Sequence, residues 1–562
     1  MTPRSKHSRG AALVLVLMVA AVFLILMGTL IDVLAIESQN AIESSDAEAA
    51  LTAAYSGVDV MILNIEEFYA NSVQNGNFPQ TADCSFQSPG GGTVTASCHA
   101  QVKESWNGTG QNYYLIESEG TSNPFGSTDP NGPQVVSRTV EALVKEIPFG
   151  AYAMFSETER SNAGGSVWYS SGQSYGGPVY SGDGSMHVRY DSSKSQNPIF
   201  PDGFTSSRPP GSIDWYNVVT GQDVGPQTPD ELASVYGTGG KPNFLNEQLP
   251  LPGMAQNLVV FSEAYYGDST HTDPNDLPSG PPGVYVNKGD PSCGTTLCTG
   301  IYVQGDAQLD ASSVASPNGD LTSGTQTWKF SPIPADANSI QNTVTVTIDF
   351  AAGTTKVLDG GSGLTTYNGV ASGVSGNGVQ GNGAVFVNGN LTINDGSTVH
   401  GQYTVAVPDP PMKGEAMTLG GSLTYASDPS SGPSQDELAL WADKIWLDSG
   451  SSNVTIDGMI LTGYANECTD TRKCGGYFAN IHCKASACNG GGVGNLTLYG
   501  SIIENMRGKM GVVGPDGQIV GGYLKASTYD PRLGVTPPPY SPTTNLYSIV
   551  ALQDHGTTSM FP

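Results

Sequence analysis

The sequence is poor in charged side chains and poorest in cations. Only 13% of the 562 residues are charged, and 23 Lys and Arg stand against 51 Asp and Glu. The resulting net charge of −28 disfavours polyanion binding over the whole surface. A protein with this net charge can still carry a local basic patch. The scarcity of cations therefore excludes a general nucleic-acid-binding protein.

Catalytic and metal-binding motifs are also missing. None of the seven His lies in an H-E-x-x-H motif, and no two of the eight Cys form a C-x-x-C pair. Asp129-Pro-Asn and Asp273-Pro-Asn-Asp276 have too few oxygen donors for a defined calcium loop, so calcium binding is left open. We expect no enzymatic activity and no cofactor. A β-helix enzyme that acts on surface polysaccharide is the least favoured alternative.

Glycine and proline are abundant, with 72 and 37 residues, and this is typical of many short strands joined by turns. Two patterns recur after Pro148. The first is a short strand, a Gly-Asn/Asp corner and a second strand, at Val179–Asp183, Ile301–Asp306 and Val385–Asn390. The second is an apolar-Thr-apolar triplet at residues 391–393, 423–425, 454–456 and 496–498. Such spacing favours a β-solenoid over a β-sandwich.

Elsewhere the chain predicts a few further elements. Strands are expected in residues 92–102, 113–119 and 135–147, because apolar and polar residues alternate there. Single helical segments are expected at Pro229–Tyr236 and Ser434–Ala442, because each opens with Pro or Ser and an Asp-Glu pair.

The N-terminal region is the most informative part of the chain. A basic tip precedes Gly10, and residues 11–31 are uncharged, which suits a membrane span. Beyond residue 31 apolar residues recur every three or four positions as far as Phe68. One helix is therefore expected to begin in a bilayer and to continue as an amphipathic helix in water.

These N-terminal residues resemble the PilX-type minor pilins of type IV pili. The resemblance is carried by Ser8-Arg9-Gly10-Ala11-Ala12-Leu13-Val14-Leu15-Val16-Leu17 and by Asp46-Ala47-Glu48-Ala49-Ala50. It implies that a prepilin peptidase cuts after Gly10 and that Ala11 becomes the N-methylated terminus. It also implies that other pilins and the pilus assembly machinery are partners.

The position usually held by glutamate in pilins, the fifth of the mature chain, is Leu15 here. A carboxylate inside the membrane needs a partner, and a subunit at the tip has none above it. The resemblance therefore implies a subunit at the pilus tip. It also extends to residues 151–155, 167–169, 529–533 and 537–540, which resemble the start and end of the large domain of some pilin-like proteins, including competence pilins.

The expected class is thus α+β: a long N-terminal membrane-to-periplasm helix, a small antiparallel pilin sheet, and a large all-β domain. The expected segments are a leader at 1–10, the helix at 11–72 with its span at 11–31, the sheet at 73–147, the β-rich domain at 148–545, and a final strand and tail at 546–562. The protein is expected in the inner membrane as a single-pass subunit before assembly, and at the cell surface or pilus afterwards.

The cysteines form four pairs of near neighbours, which in an exported chain indicate disulfides. The pairs are Cys84/Cys98, Cys293/Cys298, Cys468/Cys474 and Cys483/Cys488. A zinc site built from the last four with His482 is the less favoured alternative.

Positive charge is concentrated around the last two cysteine pairs. Arg472, Lys473 and Lys484 lie there, and Arg507 and Lys509 follow. A braced basic loop of this kind can hold phosphate groups. The resemblance to competence pilins implies that such a loop makes the chain a candidate DNA receptor for natural transformation. The alternatives are a tip adhesin for another surface ligand and a purely structural initiator of a pilus or a type II secretion filament.

Overall fold

The computed structural model describes residues 8–70, 78–87, 94–108, 111–122, 136–161, 166–169, 173–183, 186–191, 197–207, 213–237, 242–244, 249, 251, 254–289, 291–373, 382–407, 416–463, 476–484, 487–488, 493–513 and 519–555. The chain forms two compact units. Unit 1 comprises Met1–Gly108, Asn112–Glu146 and Asn545–Pro562, and unit 2 comprises Thr109–Gln111 and Ile147–Thr544.

Unit 1 is a long helix on a five-stranded sheet. Helix α1 spans Ser8–Ala70, and four strands follow it: β1 (Thr81–Gln87), β2 (Val94–Gly108), β3 (Gln111–Ser122) and β4 (Val136–Pro148). They lie in the order β1-β2-β3-β4, and the last strand of the chain, Thr543–His555, joins the sheet beside β4. The sequence of unit 2 is therefore inserted between two neighbouring strands of this sheet.

The second half of α1 supplies one side of the core of unit 1. Ala54, Val58, Met61 and Ile65 are at most 1% exposed, and they pack on strand residues such as Ile116. Their spacing of three or four residues places them on one face of the helix. Burying each large apolar side chain contributes roughly 1.5–3 kcal/mol.

Unit 2 is built mainly from short strands. In chain order the remaining strands are β5 (Met154–Ser161), β6 (Trp168–Tyr169), β7 (Val179–Asp183), β8 (Met186–Tyr190), β9 (Phe204–Ser206), β10 (Ile213–Asn217), β11 (Pro242–Phe244), β12 (Gly283–Tyr285), β13 (Ile301–Gln304), β14 (Ala307–Val314), β15 (Thr325–Ser331), β16 (Val344–Asp349), β17 (Thr354–Asp359), β18 (Gly363–Asn368), β19 (Ala384–Asn388), β20 (Leu391–Ile393), β21 (Ser397–Val399), β22 (Gln402–Val407), β23 (Met417–Leu419), β24 (Leu423–Tyr425), β25 (Glu437–Ala442), β26 (Lys444–Leu447), β27 (Asn453–Thr462), β28 (Tyr477–Asn480), β29 (Cys483–Lys484), β30 (Ala487–Cys488), β31 (Gly494–Arg507), β32 (Gly511–Val513), β33 (Ile519–Tyr529) and, in the sheet of unit 1, β34 (Thr543–His555). Among the described residues, α-helices α2 (Pro229–Tyr236), α3 (Met254–Tyr265) and α4 (Arg532–Val535) accompany them.

The main sheet of unit 2 runs β11-β9-β7-β5-β31-β27-β25-β22-β19-β13-β12, and every neighbouring pair from β11 to β13 is parallel. One column of stacked, buried side chains crosses these strands from β13 to β9: Ile301, Val385, Val405, Leu440, Ile460, Ile502, Met154, Val179 and Phe204. A second parallel ladder, β14-β20-β23-β26-β28, continues into the antiparallel strands β15 to β18. Strands β19, β22 and β25 of the main sheet are buried on both faces, and such strands read as apolar runs in the sequence.

The mixed α+β class, with an N-terminal helix and an antiparallel sheet, is confirmed. The recurring corners at Ile301 and Val385 also lie in register, since Ile301 pairs with Val385 and Ala307 with Leu391 on either side of the corner. Asp306 Oδ1 accepts a hydrogen bond of 2.6 Å from the backbone N of Asn390 and links the two corners. The β-solenoid itself stays a prediction.

The apolar-Thr-apolar triplets are only partly equivalent. Val454–Ile456 and Leu496–Leu498 pair residue by residue, as the repeat requires. Leu423 instead pairs with Ile456, two positions out of step, and residues 391–393 belong to the second ladder. The assumed period aligned strands from different sheets because a three-residue pattern does not specify a face.

The helix predicted at Pro229–Tyr236 is confirmed, with a capping box between Thr228 and Glu231. The helix predicted at Ser434–Ala442 is wrong, because residues 437–442 form β25 and are buried throughout. The structure also joins Cys84 to Cys98 across β1 and β2. Cys293 and Cys298 are joined as well.

Candidate functional site

The basic loop predicted to contact DNA is described only at one end. Arg472 and Lys473, with Cys468 and Cys474, lie outside the described residues. Lys484 lies in β29, where the backbone but not the side chain is described. The DNA-binding role of these cations stays a prediction.

The described end of the loop is a small disulfide-linked hairpin. Strands β29 and β30 pair antiparallel, with Cys483 opposite Cys488 and their sulfur atoms bonded. Nε2 of His482 lies 2.9 Å from Oδ1 of Asp448. Within the described ranges, no group of three or more His, Cys, Asp or Glu side chains is placed to hold a metal ion.

Arg507 lies inside unit 2 and not on its surface. Its side chain is 3% exposed, and Nη1 is 3.6 Å from Oε2 of Glu159. The centre of the guanidinium lies 3.9 Å from the ring centroid of Tyr169. Burial lowers the Arg507 pKa, but the negative charge that Tyr169 and Glu159 can carry raises it more, so the group is a permanent buried cation. A phosphate group in solution cannot reach it, which corrects its assignment as a DNA contact.

Lys509 lies just after β31 and Lys525 lies in β33, and both are less basic than surface lysines. Lys509 is half-buried, and burial lowers its pKa. Lys525 is buried with its Nζ 5.9 Å from the ring centroid of Tyr175, and burial lowers its pKa to about 8. Glu504, also buried, accepts hydrogen bonds from the backbone N of Gly508 and of Phe478, at 3.1 and 3.4 Å.

We call Glu159, Glu504, Arg507 and Lys525 the buried charge cluster. They come from β5, β31 and β33, so two carboxylates and two cations tie the first strand of unit 2 to two of its last strands. Burial raises the pKa of Glu504, and the two cations oppose that shift. The arrangement is suited to holding strands together and leaves no open site for a substrate at these side chains.

Helix α1 carries the residues predicted for processing. Gly10 and Ala11 lie in its first turn. The described large apolar side chains between residues 18 and 34 are exposed: Met18, Val22, Phe23, Leu24, Leu26, Met27, Leu30, Ile31, Val33 and Leu34. In the part of the chain that the structure describes, no helix has both the length and the apolar character needed to cross a membrane.

The fold thus defines a class of protein in which a long N-terminal helix with exposed apolar residues packs on an antiparallel sheet that receives a large inserted β unit. No family model and no curated protein matches the sequence. Among solved structures, the chain is similar to the competence-associated pilin ComZ from Thermus thermophilus. The two share 11% identity over 91% of this chain and 98% of that one, with a TM-score of 0.28.

Proposed function

We propose that this protein is a non-enzymatic minor pilin-like subunit. The observation that carries the proposal is the single 63-residue helix α1. Its first half exposes a run of large apolar side chains, and its second half forms the core of unit 1. A helix divided in this way is suited to leave one environment for another, from a bilayer into the interior of a filament.

Processing and location follow from the same helix. We place the cut after Gly10 by a prepilin peptidase, with Ala11 as the methylated terminus. Residues 11–31 then anchor the subunit in the inner membrane until the assembly machinery packs it against other pilins. The three described disulfides agree with a head that matures outside the cytoplasm. The inserted unit, which we interpret as solenoid-like, is displayed at the pilus surface.

Leu15 supports a terminal position in the filament, because no carboxylate is present to seek a partner in the next subunit. Immunogold labelling should therefore mark filament ends. Labels spaced along whole filaments would contradict a tip subunit and would leave the pilin-like class intact.

Mass spectrometry of the mature N-terminus tests the class itself. The expected terminus is N-methyl-Ala11, and a Gly10→Val variant should accumulate uncut in the membrane fraction. An Ala12→Val variant, two positions beyond Gly10, is the matched control and should still be processed. A mature chain that starts at Met1, or one that is cut in the style of a secretory signal, would refute the proposal.

Two hypotheses concern the ligand at the tip. In the first the ligand is DNA. In the second the subunit binds another surface ligand as an adhesin, or has a purely structural role and binds none. With Arg507 buried, the DNA hypothesis rests on Arg472, Lys473, Lys484 and Lys509. Counterion release from a few such contacts gives weak binding that decreases steeply with salt.

A charge-matched comparison tests the DNA hypothesis. Replacing Arg472, Lys473 and Lys484 with alanine should weaken DNA retardation by the full chain and flatten its salt dependence. Replacing the exposed Lys288, Lys329 and Lys356 of unit 2 removes the same charge elsewhere and should change neither. If both triple variants behave alike, the loop is no receptor. If the native chain fails to retard DNA at ~50 mM salt, where electrostatic contacts are still strong, the adhesin or structural role stands.

A further inference from the structure

Unit 2 contains a cavity of about 380 Å³ that none of the preceding roles uses. Two loops form its walls, at residues 315–324 between β14 and β15 and at residues 426–436 between β24 and β25. Tyr499 of β31, Pro531 and Arg532 of α4 complete its lining. Its size suits one or two rings of a small ligand.

The two loops are fixed against each other. The backbone N of Gln435 donates to the carbonyl of Gly319 at 2.8 Å, and the backbone N of Leu321 donates to Oε1 of Gln435 at 3.2 Å. Gly319 has a φ of +68°, and a Cβ there would lie 1.8 Å from the carbonyl oxygen of Pro433. Glycine is therefore required where the loops meet, and the cavity is preformed.

The electrostatics of the cavity favour a neutral ligand over an anionic one. Of the described residues that line it, Arg532 alone carries a positive charge. All of its nitrogens are engaged: Nε and Nη2 bond the buried Asp530 at 3.0 and 2.6 Å, and Nη1 donates to the carbonyl of Ser434 at 2.7 Å. Asp320 adds a carboxylate to the lining. A phosphate, sulfate or uronate would meet the Asp320 carboxylate and a guanidinium whose charge Asp530 already balances.

The remaining lining alternates flat apolar surfaces with planar polar groups. Tyr499 and three prolines supply the apolar surfaces, and Asn318, Ser434 and Gln435 supply amide and hydroxyl groups. The prolines are Pro429, Pro433 and Pro531. An aromatic ring packs on the C–H face of a pyranose, while amides and a carboxylate match pairs of its hydroxyl groups.

We propose that this cavity binds a neutral sugar residue of a glycan. The proposal goes beyond the pilin-like role and does not depend on it, because the cavity lies within unit 2 and needs no second subunit. It assigns to unit 2 a ligand class that differs from DNA.

Saturation-transfer NMR on the full chain tests the proposal, with the protein in a detergent that has no sugar headgroup. The probes are the methyl glycosides of glucose, galactose and N-acetylglucosamine, with methyl glucuronoside as the anionic comparison. At least one neutral glycoside should receive saturation, and methyl glucuronoside should not. Tyr499→Ala should weaken binding about tenfold, a loss of roughly 1.4 kcal/mol, whereas Tyr499→Phe keeps the ring and should stay within about twofold. Tyr55→Ala is the matched control, since Tyr55 is an exposed tyrosine of α1.

Three results would overturn the proposal. The first is that no neutral glycoside receives saturation at millimolar concentration. The second is that Tyr499→Ala, with a thermal unfolding curve like that of the native chain, binds as well as the native chain does. The third is that methyl glucuronoside binds more tightly than the neutral probes. If Tyr499→Ala unfolds, Asn318→Ala replaces it, because Asn318 is exposed and lies in the lining.

Discussion

Replacing Arg507 with methionine should destabilise unit 2 far more than the loss of a surface cation. Methionine keeps most of the length and apolar volume of the side chain, so the change chiefly removes the charge. Glu159 is 1% exposed and would then keep its carboxylate buried beside Tyr169 without its nearest cation. Removing one partner of a buried ion pair costs about 3–5 kcal/mol of folding free energy.

The chain contains a matched pair at the surface. Lys329 Nζ lies 3.6 Å from Asp310 Oδ2, the same separation as between Arg507 and Glu159, but both side chains are about half exposed. Exposed pairs of this kind contribute about 0–1 kcal/mol, because water screens the charges. Distance is thus held constant, and burial, together with the contact of Arg507 with the Tyr169 ring, should separate Arg507→Met from Lys329→Met.

Urea unfolding of the full chain, followed by tryptophan fluorescence, is the assay. A two-unit chain need not unfold in one step, so the two variants are compared within the same transition. Adding Glu159→Gln to Arg507→Met should recover part of the loss, since it removes the stranded charge. Equal midpoint shifts for the two single variants would refute the reasoning, and so would a double variant less stable than Arg507→Met.

Three more predictions concern single contacts. Both ring nitrogens of the buried His400 face acceptors, and although burial lowers its pKa, Asp436 raises it more, to above the ordinary 6.5. The pair of His400 and Asp436 should therefore stabilise the fold fully below pH 6.5, and this stabilisation should be lost as pH rises through the folded pKa of His400. In thermal melts at a series of pH values, His400→Gln should abolish this pH dependence. Replacing Cys84 and Cys98 with serine opens a cross-strand bond with a sequence separation of 14 and should cost unit 1 about 3 kcal/mol by urea titration. Gly319→Ala should lower the thermal midpoint of unit 2 and weaken the binding of any ligand in the cavity, because a Cβ there would clash with the Pro433 carbonyl oxygen.

Much of unit 1 and isolated parts of unit 2 are predictable because their signals are local. The alternation in β4 and the Pro-Asp-Glu start of α2 specify a strand and a helix without tertiary information. Helix α3 was not predicted from the sequence. The Asp436-Glu437 pair misled because it resembles a helix start. In the fold, Asp436 is the partner of His400 and Glu437 bonds Thr536.

The candidate sites were harder to predict for the same physical reason. A cation beside a cysteine cluster suggests a surface, but Arg507 is paired with Glu159, which the parallel pairing of β31 with β5 brings near from a distant part of the chain. The cavity likewise combines residues of four separate segments. No local sequence pattern predicts these contacts between distant residues, since each contact depends on the order in which the strands pair.

The two ends of unit 2 have a consequence for how such heads are exchanged. Oγ1 of Thr544 donates to the carbonyl oxygen of Ile147 at 2.9 Å, and the backbone N of Phe149 donates to the carbonyl oxygen of Pro542 at 3.3 Å. Entry and exit of the chain are therefore side by side, which is the geometry that tolerates domain insertion. Recombination or protein engineering can therefore delete unit 2 or replace it with another domain. A short linker is enough to join the two chain ends that a deletion leaves.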